Sequence, residues 1–158
     1  MRFLRAGSGA AFRRLLVPTD GSARSRAAET RALALARELG ARVPGLFVIA
    51  SGVPTAVSGA KLYTGAKASR RIRAAARDEA AAALGELERR ARTAGVPCRS
   101  LRRTAREPWR AILRAARSER CGLIVMGSHG RGAVKSALLG SQTLKVLAHS
   151  RIPVLVCR

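Results

Sequence analysis

The chain has 158 residues, with 31 Lys and Arg against 9 Asp and Glu, for a formal net charge of +22. That length suits one domain with a real core and is short for two. No run of about 18 apolar residues offers a membrane span. The charge exceeds the magnitude of about 2 to 8 usual for a domain of this size. It draws nucleic acid, anionic surfaces and free nucleotides alike, and so selects none of them.

Residues 1–12, MRFLRAGSGAAF, lack the continuous apolar stretch of a secretory leader and read as a basic tail ahead of a domain at 13–158. Leu15-Leu16-Val17 is a short buried strand, and Pro18-Thr19-Asp20-Gly21-Ser22 after it is a turn with a helix N-cap. A helix is predicted over Ala23–Leu39, closed by Gly40. Asp20 stands at the carboxyl end of that strand, where open α/β sheets meet their ligands. An Asx-turn or cap is its other reading.

The second strand fits Val43–Ala50, with Leu46-Phe47-Val48-Ile49 as its firm part, and 51–65 is rich in loop formers. Between Arg70 and Ala94 the apolar residues Ile72, Ala76, Ala80, Leu84, Leu87 and Ala91 recur every three or four positions. That spacing predicts a long helix with one apolar stripe and an arginine-rich outer face. Cys98–Thr104 is short and positively charged, as suits an edge strand. Pro108 opens a helix running to about Arg120, with Trp109 as a packing residue.

Leu123–Met126 is an unbroken, partly β-branched apolar run, the pattern of a strand covered on both faces of a parallel sheet. Gly127, Gly130 and Gly132 follow, and they leave no side-chain bulk where a ligand could approach the backbone. Gly140 and Ser141 then open a helix over 140–149. Its first turn offers free N–H groups and the positive end of a helix dipole, both favourable to an anion. Ser141 and Thr143 add hydroxyl donors. A last strand covers Ile152–Cys157. Cys98, Cys121 and Cys157 are scattered, odd in number and without neighbouring histidines, so they form no zinc pattern and read as idle thiols in a reducing compartment.

Five strands alternate with four helices, which argues for an α/β fold with a single doubly wound parallel sheet and helices on both faces. The glycines obey G-x2-G-x9-G-[ST]. Together with LLVPTDGS, GLFVIA, IVMGSHGRG, LLGS and IPVLVCR, this pattern resembles the universal stress protein family from about Arg13 to Arg158. The resemblance implies a Rossmann-like strand order 3-2-1-4-5 and ATP, with Mg, bound across the carboxyl ends of strands 1 and 4. It implies that Pro18 and Asp20 border the adenosine, with Asp20 near the ribose or a metal, and that Val48 meets adenine through its backbone. Met126, Gly127, Ser128, His129, Gly130 and Arg131 would form the ribose and phosphate loop. Gly140, Ser141, Gln142 and Thr143 would hold the β- and γ-phosphates. It also implies a homodimer paired through the last strand, whereas a cytoplasmic location is read from the lack of an apolar span or leader. His129 is read as a loop hydrogen-bonding residue rather than a general base. Gln142 stands where the family often has a smaller apolar residue, and Arg106 where it often has glycine.

Three function classes follow. The first is a non-enzymatic ATP-binding stress-response protein with at most slow hydrolysis or self-phosphorylation. The second is a binder of nucleic acid or an anionic surface on the same scaffold. The third, an adenylating enzyme, lacks the SGG-x-DS loop that such chemistry uses.

Overall fold

The computed structural model describes residues 12–51, 66–129 and 139–158. In chain order these form β1 (Leu15–Thr19), α1 (Ala23–Leu39), β2 (Val43–Ala50), α2 (Ala66–Thr93), β3 (Cys98–Ala105), α3 (Pro108–Ser118), β4 (Leu123–Gly127), α4 (Ser141–His149) and β5 (Val154–Cys157). All pairings are parallel, in the order β3-β2-β1-β4-β5. The expected doubly wound sheet and its strand order are therefore present. The anticipated 51–65 loop, the tail, Gly130, Gly132 and Arg131 lie outside the described residues, save for Ser51 and Phe12.

Alternation along the central strands divides the core into two layers. Leu15, Val17, Leu123 and Val125 pack with Ala28, Ala32, Leu33 and Ala36 of α1 and with Leu87 and Ala91 of α2. Leu16, Ile124 and Met126 face the opposite way, onto Ile112, Leu113 and Ala116 of α3 and Val146 of α4. Small alanines on the helices let them approach the sheet closely. A Cβ built on Gly45 of β2 would come within 2.5 Å of Leu87 Cδ2, so the glycine is what admits α2.

Element ends differ from the sequence expectation where local chemistry intervenes. The last strand begins at Val154 rather than Ile152, because Ser150 Oγ accepts from Ile152 N at 3.1 Å and Pro153 has no N–H for a ladder. The third helix stops at Ser118, where Cys121 N donates to Ala116 O at 2.8 Å and Arg120 N to Arg117 O at 3.0 Å. α2 starts at Ala66, four residues before the Arg70 expected from the sequence.

One irregularity positions the site. β1 stays paired with β2 as far as Thr19↔Phe47, and β4 stays paired with β5 as far as Gly127↔Cys157. β1 and β4 pair only at Leu15↔Leu123 and Leu16↔Ile124. Pro18 has no N–H to lend to a neighbour, and beyond Leu16 the two central strands part. The split lies at their carboxyl ends, where the strand order reverses.

Candidate functional site

A cavity of about 340 Å3 fills this split. Its apolar side is formed by Pro18, Leu46, Val48, Ile112 and Met126, and its polar side by Asp20, Ser25 and the start of α4. Of the residues singled out from the sequence, Pro18, Asp20, Val48, Met126, Gly127, His129, Gly140, Ser141, Gln142 and Thr143 all line it. Gly130 and Arg131 lie outside the described residues.

The wall under Asp20 is built by the β1–α1 turn. Gly21 takes φ 73°, the left-handed conformation that only glycine adopts cheaply. Ser22 caps α1 by accepting from Ser25 N at 3.2 Å. Asp20 Oδ1 accepts from Ser22 N at 3.0 Å and from the Ser25 hydroxyl. The Asx-turn and the cavity-facing position considered for Asp20 thus hold together: the same carboxylate shapes the turn and lines the cavity.

The opposite wall is built by β4 and α4. Gly140 N donates to Ser128 O at 2.7 Å, which pins the start of α4 to the end of β4. A Cβ on Gly127 would lie 3.2 Å from Arg24 O and 3.3 Å from His129 O, so the strand end passes between two carbonyls. The N–H groups of Ser141, Gln142 and Thr143 have no acceptor within their own helix and open toward the cavity end.

Three residues behave differently from the sequence expectation. Ser128 is buried and is not part of the cavity wall: its N–H donates to Cys157 O at 2.7 Å, and its hydroxyl is hydrogen-bonded to His129 Nδ1 at 3.1 Å. The Thr143 hydroxyl donates to Gly127 O at 3.0 Å, which leaves the backbone N–H as the group it offers the cavity. Gln142 turns its side chain toward α3, where its amide oxygen accepts from Trp109 N at 3.1 Å. That bond caps a helix whose own N-cap, Glu107, makes no side-chain cap.

Thr19, Leu46, Ser25, Pro108 and Ile112 complete the lining and were not singled out from the sequence. Ser25 had a detectable signal, since a serine three residues past an N-cap serine can reach back to the preceding turn. Ile112 had none, because any apolar helix position looks like core.

None of the three cysteines lines the cavity. Burial pushes the Cys98 and Cys121 thiols up to about 11, and also raises Cys157, so all three stay protonated at neutral pH. Among the described residues, no group of three or more His, Cys, Asp or Glu could hold a metal, and no helix is long and apolar enough to cross a membrane.

Fold and cavity define an open α/β protein with a crevice at the switch point of a 3-2-1-4-5 sheet. Over residues 11–158 the sequence matches the universal stress protein family, and the chain belongs to it. Universal stress protein YxiE of Bacillus subtilis is 32% identical over 148 residues, which are 93% of this chain and 99% of that protein. A universal stress protein of Thermus aquaticus is 48% identical over 64 residues, a match spanning 40% of this chain and 47% of that one. Among solved structures, MJ0577 of Methanocaldococcus jannaschii superposes with a TM-score of 0.77 at 24% identity, covering 93% of this chain and 96% of its own. Two other universal stress proteins share the fold. One, solved in complex with cAMP, has a TM-score of 0.63 at 24% identity and covers 94% and 98% of the two chains. The other, from Archaeoglobus fulgidus in complex with dAMP, has a TM-score of 0.61 at 17% identity and covers 94% and 99%.

Proposed function

We propose that this protein binds an adenine nucleotide, ATP in particular, in the β1/β4 cavity and acts as a nucleotide-dependent stress-response protein with at most slow hydrolysis. One observation carries the reading: a single cavity joins an apolar slot to the N-terminus of α4. The slot at Leu46, Val48 and Ile112 suits a base, and Asp20 suits the hydroxyls of a sugar. The N–H groups of residues 141–143, which have no acceptor within α4, suit phosphate oxygens. The relatives solved with cAMP and dAMP support an adenine nucleotide as the ligand class.

Among the described residues, Asp20 is the one carboxylate in the wall. A single carboxylate fits magnesium that arrives on the nucleotide's phosphates better than one held by the protein alone. When bound, the ion would neutralise phosphate charge, and Asp20 would be the residue to meet it. Among the described residues, the Thr143 hydroxyl proton is committed to Gly127 O and no thiol lines the cavity.

The test is ATP affinity for the wild type and Ser141→Asp at about 0.1 M and about 1 M salt, where the Debye length falls from about 10 Å to about 3 Å. Trp109, the sole tryptophan and bonded to Gln142 of the cavity wall, serves as the fluorescent reporter. An aspartate in the first turn suits the helix dipole, so the fold survives while phosphate is repelled. Wild-type binding should persist at high salt, and the variant should bind at least about tenfold more weakly. Equal binding by both proteins, lost from both at high salt, would sink the reading and put polyanion binding by the +22 surface in its place.

We also propose a homodimer through β5. Among the described residues this edge strand pairs only with β4, and Leu155 on it is 40% exposed.

A further inference from the structure

Glu29 lies on α1 among Ala28, Ala32 and Leu33, and is 2% exposed. Its Oε2 takes a hydrogen bond of 2.6 Å from Arg90 Nη1 on α2, and its Oε1 accepts from the Thr19 hydroxyl at 2.6 Å. Arg90 also reaches the Thr30 hydroxyl and, at 3.4 Å, Arg26 O. A buried ion pair is a poor device for stability alone, because apolar residues of similar volume serve as well without the desolvation cost. Its use lies in what it holds. The Thr19 hydroxyl that donates to Glu29 also accepts from Gly21 N at 3.0 Å. One oxygen therefore ties together the residues on either side of Asp20, and a charged pair outside the cavity anchors that oxygen.

We infer that Glu29 and Arg90 are positioning residues for the ligand cavity, holding the Asp20 turn in place through the Thr19 hydroxyl. The ligand part of this inference rests on the nucleotide reading above. The relay runs from α2 through Arg90, Glu29 and Thr19 to Gly21, and it spans two helices and the end of a strand. A fixed turn presents the Asp20 carboxylate and the Ser25 hydroxyl to a ligand in one geometry. A loose one has to be ordered on binding, which weakens affinity.

The experiment compares the wild type with Thr19→Val, with its conservative counterpart Thr19→Ser, and with the double variant Glu29→Leu/Arg90→Met. Hydrogen exchange is read at the Gly21 amide and, as a core reference, at Val125, alongside ATP affinity at high salt. Thr19→Val and the double variant should each speed Gly21 exchange by about tenfold, leave Val125 unchanged and weaken ATP binding by about tenfold. Thr19→Ser keeps the hydroxyl and should stay close to wild type. Unchanged Gly21 exchange, or equal acceleration at Gly21 and Val125, would overturn the positioning role and leave the pair as ordinary core structure. Faster Gly21 exchange with undiminished ATP binding would overturn the ligand part. A wild type that binds no ATP at high salt would sink the nucleotide reading instead, while Gly21 exchange still decides whether the pair sets the turn.

Discussion

At the scale of the residue, three helices end in the same way with different chemistry. After α1 and α2 the chain turns through Gly40 (φ 59°) and Gly95 (φ 69°), and Ala41 N and Val96 N donate back to Ala36 O and Ala91 O. After α3 the same turn is made by Arg120 at φ 52°, the one non-glycine with positive φ among the described residues. An L side chain pays for that conformation in crowding of its Cβ against the backbone. Arg120→Gly should therefore stabilise the fold by about 1 kcal/mol, read as a higher urea midpoint with an unchanged slope. A lower midpoint would mean that the exposed arginine makes contacts worth more than its strain. The Gly40 end was legible in the sequence, because glycine after a periodic run is a strong stop signal. Arg120 was not, since nothing in the pattern says that an arginine will take a left-handed turn. Glu29 was equally silent: a glutamate within α1 reads as solvent-facing until β1 and α2 close over it.

At the scale of the element, the two edges of the sheet are built in opposite ways. β3 carries Arg99, Arg102 and Arg103, all exposed, and charge along an edge discourages strand addition. β5 is VLVC, without a charge between Val154 and Cys157, and it offers Leu155 to solvent. The edge open to pairing is therefore β5. Leu155→Lys should shift the protein from dimer to monomer in light scattering at working concentrations, with little change in monomer stability because the position is already half-exposed. A wild type that is monomeric throughout would remove the proposed dimer. Both strands were visible in the sequence as strands, and the charge of β3 marked it as an edge. The exposure of β5 followed from its place in the strand order, which came from family resemblance and not from periodicity.

At the scale of the whole molecule, the balance of +22 dominates. Among the described residues there are four ion pairs, and three of them have at least one exposed partner. Exposed pairs contribute little, so self-repulsion outweighs them. The urea midpoint should rise as salt is added from about 0.01 M to about 0.5 M, as the Debye length contracts. A midpoint that falls would show that attractive pairs prevail over the net field. By itself, the sequence determined the strands, the helices, the turn glycines and the helix N-terminus at Ser141, because each is set by neighbours within a few residues. Tertiary structure alone decided that β1 and β4 part after Leu16, that Ser128 turns into the structure while Gln142 caps α3, and that Glu29 is buried behind Thr19. Those outcomes depend on which elements come to lie side by side, and contacts such as Arg90 to Glu29, 61 positions apart, leave no periodic trace in the chain.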